Sequence, residues 1–252
     1  MRLRQDDENG RCWRSPGDLD ALVEYELGKA DLYPKQDSPV VDIERFIEKH
    51  LGARLDQFVE LEPRIQGQTV FRLGSPPLVQ INKSYSERAD EDGGVAHCRV
   101  RMTMAHEAMH IMLHSHLFTT DSSQLPLLDG DLGASVDTLF RCEEIGIEDS
   151  PRRRRRADWR EIQANKGMAA LLMPKEHFMD TVEEVCERAR ISRHRLYPDT
   201  PATRRIAARV SELLLVSKQA VSIRMAELEL LVPPRQEQLG LPEPDDDEDN
   251  FA

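Results

Sequence analysis

Aromatic residues are scarce in this sequence, at 5% of 252 positions. A core built from it must draw chiefly on aliphatic side chains and on its nine methionines. Cysteine is scarce too. Cys12, Cys98, Cys142 and Cys186 stand far apart, with no CxxC spacing. That excludes a disulfide framework and a cysteine-spaced zinc site. No apolar run approaches the roughly 18–20 residues of a membrane span, and residues 1–10 lack the apolar stretch of a secretory leader. These absences predict a soluble, cytoplasmic protein with no membrane partner. Positive charge is in deficit as well: 34 Lys and Arg stand against 46 Asp and Glu, a net charge of −12. Dedicated nucleic-acid binders draw affinity from basic phosphate contacts, so this balance argues against one.

The total conceals two extremes. Glu243-Pro244-Asp245-Asp246-Asp247-Glu248-Asp249 holds six acids and no base, so the rest of the chain carries −6. Self-repulsion, and the Pro233-Pro234 break before it, predict a disordered acidic tail over 233–252. The other extreme is Arg152 to Arg156, five arginines in succession after Pro151. A solvated loop or a charged helix start is the favoured reading of this run, ahead of a phosphate or acidic-partner patch.

The length allows one large domain or two modest ones, and no internal repeat is present. Leu19, Leu22, Val23 and Leu27 recur at helical spacing and predict a helix over 18–30. Ile43, Phe46, Ile47 and Leu51 do the same over 40–51, after a Ser38-Pro39 start signal. Short β-like pieces follow at 57–61, 68–73 and 78–81, punctuated by Gly67 and Gly74-Ser75-Pro76-Pro77. Residues 90–94 read as a loop and 101–116 as a helix. The stretch 119–151, rich in Ser, Asp and Gly, reads as an insertion with one short helix around 136–142. Further helices are predicted over 158–173, stopped by Pro174, and over 176–189, 201–214 and 217–230. This order predicts an α+β fold with a small, mostly antiparallel sheet and a helical C-terminal segment.

The chemistry concentrates in His106-Glu107-Ala108-Met109-His110. Histidines at i and i+4 lie on one helix face, so both imidazoles can reach one metal ion. Glu107 is displaced about 100° around the axis, near enough to hold a water without ligating. This is the HExxH arrangement of zinc peptidases. Met102, Met104, Ala105, Ala108, Met109, Ile111, Met112 and Leu113 make the helix apolar on most of its surface, which predicts burial. Buried histidines and a buried glutamate need partners, and a metal ion supplies one. His114 is eight residues from His106, about 12 Å along the axis, which is too far to share the ion easily. It is expected to pack or to stand behind the ligands, and His116 to end the helix. A third ligand should come from another helix. Glu161 opens the apolar, small-residue helix from Trp159 to Met173, where a metal ligand and an ordinary N-terminal glutamate are equally good readings.

Two motifs together resemble a family. Residues 101–114 resemble the "RFTLAHELGHLLLH" helix of ImmA/IrrE-type metallopeptidases. Glu161-Ile162-Gln163-Ala164-Asn165, followed by Ala169-Ala170-Leu171-Leu172-Met173-Pro174, resembles their "EWQANxFAAxLLMP" segment. Residues 39–44 and 78–82 are similar to the preceding helix and strand. The resemblance implies a zincin-like core over 39–181, with an insertion at about 117–158 and an N-terminal helical extension over 1–38. It implies a zinc endopeptidase with His106, His110 and Glu161 as ligands and Glu107 as general base. Zn²⁺ is the expected ion, with Mn²⁺ or Fe²⁺ able to take the same His₂Glu set. Family members act on transcriptional repressors, often in phage or mobile-element settings, so the implied partner is a protein substrate of that class. Two positions depart from the pattern. Met109 stands where the family often has Gly, and Lys166-Gly167-Met168 replaces the segment that usually holds an aromatic. Tyr85, His177 and the arginines near residue 152 are candidate oxyanion donors, each more readily read as structural.

Residues 182–232 resemble a helix-turn-helix, with Ser217 as N-cap of its second helix and Val216, Ala220, Val221 and Met225 as the apolar face. Lys218 and Arg224 give the outer face only mild basicity, and Leu215 holds the turn position that is often Gly. DNA binding is therefore possible but less favoured than a structural or partner-binding role. The alternative to a peptidase is a DNA-binding or protein-interaction regulator using the same fold as sensor or scaffold.

Overall fold

The computed structural model describes residues 13–35, 37–72, 74–92, 94–117, 138–143, 159–193 and 196–232. The acidic tail, the Arg152–Arg156 run and most of the 117–158 insertion lie outside the described residues. The described chain mixes helices with one small sheet, the α+β class expected from the order of elements.

Helix α1 (Pro16–Lys29) starts where local chemistry starts it. Ser15 and Asp18 form a reciprocal capping box, and Pro16 occupies the first turn. Leu19, Val23 and Leu27 fall on one face and are buried. The second helix begins at Ile43 rather than near Pro39, because Asp42 accepts from the Arg45 amide and is the true cap. This helix, α2 (Ile43–Arg45), runs on as a π-helical turn over Phe46–His50.

The sheet has strands β1 (Arg54–Val59), β2 (Ile65–Phe71), β3 (Leu78–Asn82) and β4 (Thr138–Glu143), in the order β1-β3-β2-β4. β1 pairs with β3 in parallel, while β2 is antiparallel to both β3 and β4. The sheet is thus mostly antiparallel. Strand β4 corrects one expectation: the short helix placed around 136–142 is a strand. A short run of this kind has no decisive period, and the ladder that β2 offers over Ile65–Phe71 settles its conformation.

Helix α3 (Lys83–Asp92) was not foreseen, and residues 90–92 are its last turn rather than a loop. Gly94, at φ 49, opens helix α4 (Gly94–His114), which starts seven residues earlier than expected. From Thr103 to Ile111 every residue of α4 is buried. Sheet and helices enclose it, and Gly67 lets β2 come close: a Cβ there would crowd the Thr103 methyl and approach Gln80 O to 3.1 Å.

Four helices complete the chain: α5 (Trp159–Leu172), α6 (Lys175–Ala189), α7 (Pro201–Leu214) and α8 (Lys218–Glu227). The division expected near 181–182 falls inside α6, which is unbroken there. One hydrophobic cluster runs from Leu19 through Met109 and Leu171 to Val221 and Leu230, so N-terminal and C-terminal helices share a core with the sheet. Val216, Val221 and Met225 are buried as expected. Leu215 makes the α7–α8 turn in the left-handed region, at φ 51. Arg224 corrects a further expectation. It is 2% exposed and points inward, so it adds nothing to an outer basic face. No described helix is long and apolar enough to cross a membrane.

Met109 and Gly167 meet each other. A Cβ added at Gly167 on α5 would fall within the Met109 side chain of α4, 3.1 Å from its Sδ. The bulk that Met109 adds to one helix is accommodated where the other carries glycine. Gly167→Ala is therefore expected to cost up to about 2 kcal/mol, the overpacking penalty less about 1 kcal/mol of helix propensity. Combining it with Met109→Ala should cost less than the sum of the two single changes by at least about 0.5 kcal/mol. Denaturant unfolding of the four proteins checks this, and strict additivity would refute the contact.

Candidate metal centre

Packing of α5 on α4 brings Glu161 to the two histidines. His106 and His110 are one turn apart on α4, and their Nε2 atoms lie 3.0 Å from each other. Glu161, in the first turn of α5, places Oε2 3.2 Å from His106 Nε2 and Oε1 3.3 Å from His110 Nε2. With one ligand atom taken from each residue, all three lie within 4.8 Å of one another. A tetrahedral zinc ion with bonds of roughly 2.0–2.1 Å holds its ligand atoms roughly 3.3–3.4 Å apart. The donor spacing fits such an ion, and the set of two imidazoles and one carboxylate suits Zn²⁺, with Fe²⁺ and Mn²⁺ as alternatives. Both histidines are buried while Glu161 is about one-third exposed, so one side of the cluster opens toward solvent.

The electrostatics follow from burial and proximity. Burial works against the charged form of Glu161, but hydrogen bonds from His106 and His110 outweigh it and hold the carboxyl well below its ordinary range. Burial also disfavours the His106 cation. There the hydrogen bond to Glu161 and the Glu107 charge prevail, and its pKa lies above the usual value. For His110 burial prevails and the pKa falls. His114, buried beside His110, is pushed down to about 3. A low pKa in His110 favours the neutral imidazole that a metal ion requires.

Glu107 is fully buried on the face of α4 that meets the sheet. Thr69 of β2, also fully buried, donates from Oγ1 to Glu107 Oε2 at 2.6 Å. Strand β2 therefore fixes the carboxylate beside the cluster. Behind the cluster, His106 Nδ1 lies 3.2 Å from Asn165 Oδ1, and His110 Nδ1 lies 3.1 Å from His114 Nδ1. The His114 ring in turn meets Trp159 edge to face, with centroids 5.3 Å apart.

Every residue that the sequence nominated for the centre is thus gathered there: His106, Glu107, His110 and Glu161, with His114 behind them. The nominated oxyanion donors are not. Tyr85 donates to Pro63 O and His177 donates from Nε2 to Pro39 O. The arginines near residue 152 lie outside the described residues. Thr69 was missed, because nothing local marks a strand residue that reaches a helix 38 positions away. No family model matches the chain, and no curated protein matches it.

Proposed function

We propose that the protein is a zinc-dependent endopeptidase built on a zincin-like core, cleaving a protein partner of the transcriptional-repressor class. The observation that carries this reading is the convergence of His106, His110 and Glu161 at metal-ligand spacing, with Glu107 held alongside on the same helix. The substrate class rests on the motif resemblance alone.

His106, His110 and Glu161 would hold the ion. When bound, it would supply Lewis acidity, making a water acidic near neutral pH and polarising a carbonyl oxygen. Glu107 takes a proton from the attacking water and passes it to the leaving amine. Thr69 keeps the Glu107 carboxylate in one orientation, so little reorganisation accompanies the transfer. The α4 and α5 helices that carry these groups are packed into the core, which suits a site needing fixed geometry.

Burial of Arg224 leaves Lys218 as the basic residue on the outer face of α8, which favours the peptidase reading over DNA docking through that helix. The deciding experiment is metal analysis of the purified protein, together with a cleavage assay against a repressor encoded beside it. Stoichiometric zinc and chelator-sensitive cleavage support the reading. Absence of metal binding, or cleavage indifferent to chelation, overturns it. A stability measurement goes with it. Zinc at about a hundred times its dissociation constant should stabilise the fold by about 2.7 kcal/mol. In a chain of this size that corresponds to a rise of about 5–11 °C in the thermal midpoint.

A further inference from the structure

Residues 188–209 hold seven arginines and one acid, Asp199, a net charge of +6 in a chain of −12. Six of the seven are described: Arg188 and Arg190 at the end of α6, Arg193 in the connection, and Arg204, Arg205 and Arg209 on α7. Arg193 is half-buried and the other five are exposed. Helices α6 and α7 pack on each other. Arg188, Arg205 and Arg209 line one open groove between them, with Glu212 as the acid among the lining residues. Arg188, Arg193 and Arg209 have acidic neighbours in Glu184, Glu183 and Glu212. Those are solvent-exposed pairs, which add little and exchange readily. Among the described residues, Arg204 and Arg205 form no ion pair. They stand near the N-terminal end of α7, whose first turn holds no acid and where the helix dipole already presents positive charge. This face attracts a polyanion.

We infer that the acidic run Glu243–Asp249 of the same chain docks on the arginine face of α6 and α7 and covers it against other polyanions. The tail follows directly from Val232, and Val232 is anchored at this face. Its amide donates to Leu196 O at 2.8 Å, and the Leu196 amide donates to Arg193 O at 3.2 Å. The acidic run begins eleven residues further on, a span of at most about 40 Å when extended. Helices α6 and α7, of 15 and 14 residues, are each about 21–23 Å long. The run therefore reaches the whole face from the point of departure. Its six acids equal the +6 of residues 188–209, so the two segments cancel and the remaining chain carries the full −12. That remainder repels a nucleic-acid backbone. A tethered segment needs no steering past it, because the tether holds it at about millimolar effective concentration. None of these arginines belongs to α4 or α5, so the inference stands apart from the metal centre.

The test compares the full chain with a full-length neutralised chain carrying Glu243→Gln, Asp245→Asn, Asp246→Asn, Asp247→Asn, Glu248→Gln and Asp249→Asn. Outside the tail itself, their amide ¹H–¹⁵N spectra should differ at residues 188–209 in low salt. The difference should vanish at about 1 M salt, where the screening length is about 3 Å. Fluorescence anisotropy of a labelled peptide of residues 233–252 gives a second reading. The peptide should bind the neutralised chain at least about tenfold more tightly than the original, whose own tail competes at about millimolar concentration. Within the neutralised chain, Arg188→Gln, Arg205→Gln and Arg209→Gln together should remove that binding. Lys49→Gln, Arg54→Gln and Arg64→Gln, which take the same charge from the π-helical turn, β1 and the loop after it, should leave it within a few-fold. All six side chains are exposed, so the thermal midpoint should hold in both triple variants. Unchanged signals over 188–209, equal peptide affinity for the original and neutralised chains, or equal losses in the two triple variants would each overturn the inference. So would a labelled DNA duplex that binds the original chain more tightly than the peptide binds the neutralised one, since a nucleic acid would then be the occupant.

Discussion

On the proposed function, Glu107→Gln should abolish most proteolysis while leaving zinc bound. The side chain keeps its size, and the amide oxygen can still accept from Thr69 Oγ1, now 2.6 Å from Glu107 Oε2. What is lost is a base. Glutamine cannot take a proton from water, and removal of a positioned general base costs about 10²–10⁴ in rate. The proposed ligands His106, His110 and Glu161 are untouched, so metal content should remain stoichiometric. The thermal midpoint should move little, because an amide of the same size replaces the buried carboxylate and keeps its hydrogen bond from Thr69. Cleavage rates on a repressor substrate, paired with metal analysis of the same preparations, check all three expectations. A Glu107→Gln protein that cleaves within tenfold of the original rate would remove Glu107 from the mechanism and leave the metal reading intact. Loss of zinc together with activity would instead mean that Glu107 helps to hold the ion.

The contrast between Glu107 and Glu161 explains why one helix could be read directly and its partner could not. Within α4 the spacing of His106 and His110 fixes their common face, and the apolar neighbours on every side announce burial. Both facts are local, so sequence contained them. Glu161 at the start of α5 has no local mark that separates a ligand from a glutamate favoured by the helix dipole. Only the packing of α5 on α4 decides, and that packing turns on Met109 and Gly167, which are 58 positions apart. Thr69 and Asn165 lie at the same level, since their contacts with α4 run between elements. Strand β4 and helix α3 failed for related reasons. Residues 138–143 carry no clear period and take their conformation from β2. The sequence of α3 is so polar that only Tyr85, Ser86 and Ala89 are buried.

Arg224 was misread for a different reason, and it leads to the largest stability effect expected outside the centre. It follows Val221 by three positions and precedes Met225, so helical geometry already places it on the inward face of α8. There its guanidinium donates to the Asp20 carboxylate of α1 and to Met173 O, just beyond the C-terminal end of α5. Both side chains of the pair are nearly inaccessible, at 3% and 9% exposure. Asp20→Ala would remove the nearer carboxylate from a buried cation, leaving it Met173 O and the Glu227 carboxylate 3.8 Å away, and breaking such a pair costs about 3–5 kcal/mol. In a protein of this size that is a fall of about 6–20 °C in the thermal midpoint. Asp20→Leu combined with Arg224→Met should recover part of the loss, because removing both charges also removes their desolvation penalty. The recovery stays incomplete, since Met173 O loses its donor. Glu161 is twelve residues from Met173, about 18 Å along the helix, so zinc affinity of the folded Asp20→Ala protein should change little. Thermal melts and zinc titrations on these variants separate the two effects. An Asp20→Ala protein that melts within about 2 °C of the original would show that the pair adds almost nothing to stability. A large loss of zinc affinity at an unchanged midpoint would show instead that Asp20 and Arg224 hold α5 in place for the metal centre.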